Sequence, residues 1–236
     1  MDFATVSARS VTFRSTQQRS KGVTKLIQKL FFPAYAHHKL RGTRPPNIGG
    51  LKLRQARARG KLVDRQLQRC IGRMPRQPAR AARETVAVLS YINLRGYFIE
   101  SAQRRVGYAP WRLATSLDLV LRPCDVAVGD DHRIVVEIKR GCLYRNMSVP
   151  NQTSKGLVPN VPVSPLCMHE LQAVLGMKLL EATDTTLPVD SAWLLYVHDS
   201  TVSCHESSEF TVKWTQTTAD YLETTAARLA NGKCKK

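Results

Sequence analysis

Glu137 and Lys139 lie two residues apart in the run RIVVEIKRG, and a further acid, Asp118, lies in TSLDLVL upstream. Side chains alternate faces along a strand, so Glu137 and Lys139 point one way while Val136 and Ile138 point the other. Apolar residues fill both faces of this run except at those two positions, which suits a central strand rather than an edge. Charged groups are expensive to bury there unless they are paired. A carboxylate at Asp118 beside Glu137 would let a divalent cation neutralise both acids, with the lysine steering a water. That is metal-assisted phosphodiester hydrolysis in outline. Asp125 competes with Asp118 for the first position, because CDVAV also fits a strand and Asp125 precedes Glu137 by twelve residues. Pro123 should break a strand between the two, which favours Asp118.

The elements that must carry these residues follow from pattern and breakers. LIQKLFF within Lys25 to Leu40 suits a short helix stopping near Pro33, and RGTRPPNIGG interrupts the chain. Leu51 to Ile71 is expected to be a basic helix. Gly60 within it costs roughly 1 kcal/mol against alanine, which calls for close approach of backbone or ligand. After the linker RMPRQPAR, Ala82 to Leu94 forms a helix ended by Gly96. Strands are expected over 97–106, 115–122 and 132–140, the last two joined by a turn at Gly129-Asp130-Asp131. LYRNMSVPNQTSKGLVPNVPVSP is a long loop of a kind that is usually functional or mobile. Pro165 to Ala182 then forms a helix, WLLYVH and TVSCHE form strands about an Asp199-Ser200 turn, and Thr215 to Ala230 forms a final helix. The order predicts an α/β fold: a three-layer sandwich with a central mixed sheet flanked by helices.

Charge divides the chain. Residues 1–83 hold 20 Lys and Arg against only Asp2 and Asp64, so they carry the entire net charge of +18. A neutral body with a basic arm implies a polyanionic partner, most simply nucleic acid. Residues 1–25, rich in Ser, Thr and Arg, are expected to be disordered alone, and the same composition suits a mitochondrial transit peptide. The expected organisation is a basic arm over 1–47 and a folded domain over 48–236. No run of eighteen apolar residues predicts a membrane span. The six cysteines (Cys70, Cys124, Cys142, Cys167, Cys204 and Cys234) form no CxxC pair, so reduced thiols in an intracellular protein are expected. His37-His38 suits a solvated pair, His169 a helix-face polar residue or DNA contact, and Trp193 and Tyr196 core positions.

GGLKLRQARARGKLVDRQLQRCI, TSLDLVL, RIVVEIKRG and the glutamine-bearing SPLCMHELQAVLGMKLL, in this order along the chain, resemble the PD-(D/E)xK nuclease superfamily, in its lambda exonuclease and RecB-like branch. The resemblance covers roughly residues 48–206 and implies a restriction-endonuclease-like core. It implies Asp118 and Glu137 as metal-binding carboxylates, the Ile138 carbonyl as a further ligand, and Mg2+ or Mn2+ as the cation. Lys139 would orient or help deprotonate the attacking water, and Gln172 would position the nucleophile or a phosphate oxygen. Asp64 occupies the place where relatives often have a histidine ligand, and Glu100 matches an acidic position on the first strand. Gly176 departs from the pattern, since relatives often place a tyrosine four residues after the glutamine. The implied activity is magnesium-dependent hydrolysis of DNA, mostly from ends, in replication, recombination or repair. Arg54, Arg57, Arg59, Lys61, Arg65 and Arg140 would hold phosphates without reading sequence. TSLDLV and the glutamine helix also resemble nuclease-like proteins of large eukaryotic DNA viruses and mobile elements, which implies a nucleus or virus factory. Alternatives are a mitochondrial DNA-processing nuclease and an inactive nucleic-acid-binding or packaging protein on the same fold. The intact Asp118, Glu137 and Lys139 argue against the latter.

Overall fold

The breakers separate the elements, which assemble into a six-stranded mixed sheet with helices on both faces and a separate three-stranded antiparallel sheet near the N-terminus. The computed structural model describes residues 4–7, 10–13, 18–19, 21–27, 50–72, 80–127, 130–140 and 164–206. Four short strands, β1 (Ala4–Ser7), β2 (Ser10–Phe13), β3 (Gln18–Arg19) and β4 (Lys21–Gly22), precede a single helical turn, α1 (Val23–Leu26). Then follow helices α2 (Gly50–Gln68) and α3 (Arg83–Leu94), and strands β5 (Tyr97–Tyr108), β6 (Leu113–Pro123) and β7 (Arg133–Arg140). Helix α4 (Pro165–Thr183) and strands β8 (Val189–His198) and β9 (Thr201–Glu206) complete the described elements.

The main sheet has six strands in the order β4-β6-β7-β8-β9, with β5 pairing β6. β7 and β8 run parallel, so a crossover must join them, and α4 lies on that connection. The β5–β6, β6–β7 and β8–β9 pairs are antiparallel. One face buries Leu117, Val120 and Val135 against Leu171, Val174, Leu175 and Leu179 of α4. The other buries Leu119, Leu121, Ile134 and Val136 against Val63 and Leu67 of α2 and Val88, Leu89 and Ile92 of α3. The expected α/β sandwich around a mixed sheet is what forms.

Local chemistry sets the element ends. Ser164 caps α4, its hydroxyl accepting from the Cys167 N–H at 3.2 Å, and Pro165 opens the helix where no N–H is needed. Gln66, buried on α2, accepts from the Ala82 N–H at 3.0 Å and the Thr85 hydroxyl at 2.7 Å, which binds the start of α3 to α2. Gly96, at φ 76°, follows α3 in a conformation that penalises side chains. The β8–β9 hairpin turns at Asp199, as its Asp-Ser pair suggested.

The expected domain boundary needs correction. Lys21 and Gly22 pair in parallel with Leu113 and Ala114 of β6, and Val23 and Ile27 are 1% and 2% exposed in the α4-side core. Apolar side chains inside a basic segment were enough to recruit it, so residues 21–27 belong to the folded body rather than to an arm. Residues 4–7 and 10–13, expected to be disordered alone, pair as antiparallel strands. The rest of the helix expected to Leu40, His37-His38, the linker after Gly72, Gly129, the long loop before Ser164 and the helix over 215–230 lie outside the described residues.

Candidate active site

The site forms where the sheet opens. β5 takes one edge of β6 from Leu113 to Pro123, so β4 and β7 share the other. β4 reaches Leu113 and Ala114, and β7 pairs from Leu119 to Leu121, leaving Thr115 to Asp118 between them. The β6–β7 ladder stops at Leu119↔Val136, so the next opposed positions are Asp118 and Glu137. There a side chain takes over from the backbone: the Ile138 N–H donates to Asp118 Oδ2 at 2.8 Å.

Face alternation also breaks at this point. Leu119 and Leu121 face the α2–α3 layer, whereas Leu117, of the same parity, faces α4. Opposite, Gln103 of β5 takes a left-handed backbone at φ 52°, between the partners Ala102↔Leu119 and Arg104↔Leu117. Asp118 therefore sits at the reversal, within electrostatic reach of Glu137 on β7 and of Asp64 on α2.

Glu137 is 7% exposed and is held by two side chains. Its Oε1 accepts from Lys139 Nζ at 2.6 Å and from Gln172 Nε2 at 2.7 Å. Lys139 Nζ also donates to Gln172 Oε1 at 3.1 Å, so acid, amine and amide close a triangle. The spacing that placed Glu137 and Lys139 on one face is borne out, and α4 brings Gln172 onto that face. Burial, then the charge of Asp118, pushes the Glu137 carboxyl up to about 7 against the pull of Lys139. Asp118 is raised too, by burial, while the Ile138 N–H, Lys139 and Gln103 pull it back. Asp64 is raised by burial and by Asp118, with Arg140 opposing. Three acids thus press on one another at the mouth of β6 and β7.

Arg140 explains a glycine. A Cβ built on Gly60 would lie 2.0 Å from an Arg140 guanidinium nitrogen, so this arginine rests directly on the α2 backbone. A close approach does occur at Gly60, but it is made by a side chain of β7 rather than by the backbone or ligand expected. Gly176 is explained similarly, since its Cβ would lie 2.9 Å from Leu117 Cδ2. α4 approaches the sheet too closely for the tyrosine that the resemblance would place there.

Other expected residues lie elsewhere. Glu100 sits at the opposite end of the sheet, at a register shift in β5, and binds buried Arg133 through both oxygens at 2.8 and 2.9 Å. Arg133 and Arg104 also hold Asp184, at 3.1 and 2.5 Å, so Glu100 belongs to a structural ion-pair cluster. Asp125 is exposed in the bend after β6. Arg59 pairs with Glu84 at 2.6 Å and ties α2 to α3, which draws it from the expected phosphate-binding set. Arg65 bonds its own helix at the Lys61 carbonyl, while Arg54, Arg57 and Lys61 are exposed. Gln103 had no marker in the sequence: it donates to Asp118 Oδ1 at 3.1 Å and accepts from the Ser116 hydroxyl at 3.3 Å. His169 lies near Lys139 and shares a 3.0 Å hydrogen bond with the Tyr196 hydroxyl. Burial, then Lys139, lowers its pKa to about 3. Trp193 and Tyr196 are core residues, Trp193 meeting Tyr91 and Tyr97 edge-on.

Among the described residues, no three His, Cys, Asp or Glu side chains form a ready metal cage, and no helix is long and apolar enough to cross a membrane. No protein-family model and no curated protein matches the chain. One solved structure, titled "Crystal structure of SSO0001", aligns at 16% identity with a TM-score of 0.25. The alignment covers 51% of this chain and 47% of that one, so about half of each is compared.

Proposed function

We propose that this chain is a metal-dependent nuclease that hydrolyses DNA phosphodiester bonds, acting mainly from ends. The observation that carries the reading is the opening between β6 and β7, where Asp118 and Glu137 face each other and Lys139 and Gln172 gather on one oxygen of Glu137. The donors fit a hard divalent cation, Mg2+ or Mn2+, in type: carboxylates from Asp118 and Glu137, with the Ile138 carbonyl and Asp64 beside them. Burial first and the charge of Asp118 second raise Asp64 and Glu137, and a cation would offset both costs. When bound, the cation supplies Lewis acidity toward the phosphate and acidifies a coordinated water.

The chain's own groups do the rest. Both of these hydrogen bonds to Glu137 fall on Oε1, so Oε2 is the oxygen that would be offered to a cation. Gln172 holds Lys139 and Glu137 in one geometry, and the Lys139 ammonium offsets charge that builds on the phosphate in the transition state. Arg140, seated on Gly60, carries positive charge to α2, the helix on which Arg57 and Lys61 are exposed. These groups would grip the backbone of the substrate without reading bases.

The test is cleavage of labelled duplex and single-stranded DNA. Purified protein should degrade it with Mg2+ or Mn2+ and stop with chelator. Glu137→Gln should lose cleavage by two orders of magnitude or more, on the scale of removing one electrostatic group from an active site (~10²–10³-fold), while still binding DNA. Cleavage unchanged by that substitution would remove the mechanism. DNA bound but never cut by the wild type would favour a packaging role.

A further inference from the structure

We infer that Gln103 is a positioning residue for Asp118, held in an unfavourable backbone conformation so that its amide fixes the carboxylate at the mouth of the site. The inference rests on the nuclease reading above. A non-glycine residue at φ 52° in the middle of a twelve-residue strand is out of place. On the facing strand, regular alternation would send Leu117 and Leu119 to the same face. Here they go to opposite faces, and the reversal falls between the residues paired with Ala102 and Arg104.

The side chain shows what this conformation achieves. Gln103 Nε2 donates to Asp118 Oδ1 at 3.1 Å, and its Oε1 accepts from Ser116 at 3.3 Å, which orients the amide. With Ile138 on Oδ2, both oxygens of Asp118 are anchored from different strands, one donor from β5 and one from β7. A carboxylate held at both oxygens cannot rotate, so its remaining lone pairs keep one direction. Groups that orient ligating carboxylates this way strongly influence cation affinity.

The experiment measures Mn2+ affinity directly, by electron paramagnetic resonance of the free ion, and melting in chelator, on wild type, Gln103→Met and Gln103→Gly. Methionine matches the length without donors, and glycine removes both the amide and the backbone penalty. Both variants should bind Mn2+ about tenfold or more weakly, yet Gln103→Gly should melt at or above the wild-type temperature. Unchanged Mn2+ affinity in both variants, with melting lowered, would make Gln103 purely structural and overturn the inference alone. Wild-type protein that binds no Mn2+ would remove the nuclease reading and this role together.

Discussion

Burial, a neighbouring acid and a lysine all act on Glu137, and burial wins. Its folded carboxyl holds a proton up to about pH 7, against 4.5 for an ordinary glutamate. The folded state therefore binds that proton more tightly than the unfolded state does. Its stabilising contribution is complete below pH 4.5 and is lost as pH rises toward 7. Without a cation, the wild type carries this burden at pH 8, whereas Glu137→Gln, neutral at every pH, does not. Denaturant unfolding in chelator should find Glu137→Gln more stable at pH 8 by on the order of 1–3 kcal/mol, with the gap closing by pH 4.5. Mg2+ should narrow the gap at pH 8 by stabilising only the wild type. A gap that stayed constant with pH would mean the carboxyl does not titrate as its burial requires.

At the scale of elements, α2 and β7 meet through one glycine and one arginine. Alanine at position 60 should favour the helix by up to about 1 kcal/mol, because only the flexible end of Arg140 must yield. Displacing Arg140 takes positive charge from beside Asp64 and Asp118, so Gly60→Ala should keep or raise the melting temperature while weakening DNA binding and cleavage. A parallel fall in stability and activity would show instead that Gly60 serves helix packing alone. This meeting also marks what could be foreseen. Gly60 announced a close approach through its low helix propensity, but nothing local named β7 as the neighbour. Glu137 and Lys139 shared a face because strand geometry has period two, and the apolar stripe of α4 laid Gln172 over them. Pro123 correctly ended β6 and left Asp125 outside. Gln103 was illegible, because its role depends on a register and a backbone reversal that only the assembled sheet defines. Glu100 misled because an acid on a strand looks the same whether its partner is a cation or Arg133.

For the molecule as a whole, the excess charge and the fold overlap more than composition suggests. Val23 and Ile27 are core residues embedded in the basic third of the chain. Removing residues 1–47 should therefore lower the melting temperature, whereas removing 1–20 should leave the main sheet standing. Every phosphate that residues 1–20 neutralise adds roughly 0.9 to the slope of log affinity against log salt on duplex DNA, so the shorter deletion should flatten that slope. Turnover at saturating DNA should survive it, since Asp118, Glu137, Lys139 and Gln172 are untouched. Identical salt slopes with and without residues 1–20 would mean that this segment holds no phosphate.

The rung that Asp118 completes with the Ile138 amide has a consequence for descent. Losing that carboxylate leaves a backbone N–H without its acceptor, at about 1–3 kcal/mol, so drift at position 118 is opposed by folding even where no reaction is under selection. Glu137 is under the opposite pressure, because its ionisation burdens the fold and a neutral replacement relieves it. A lineage that abandoned the chemistry would keep the aspartate and shed the glutamate.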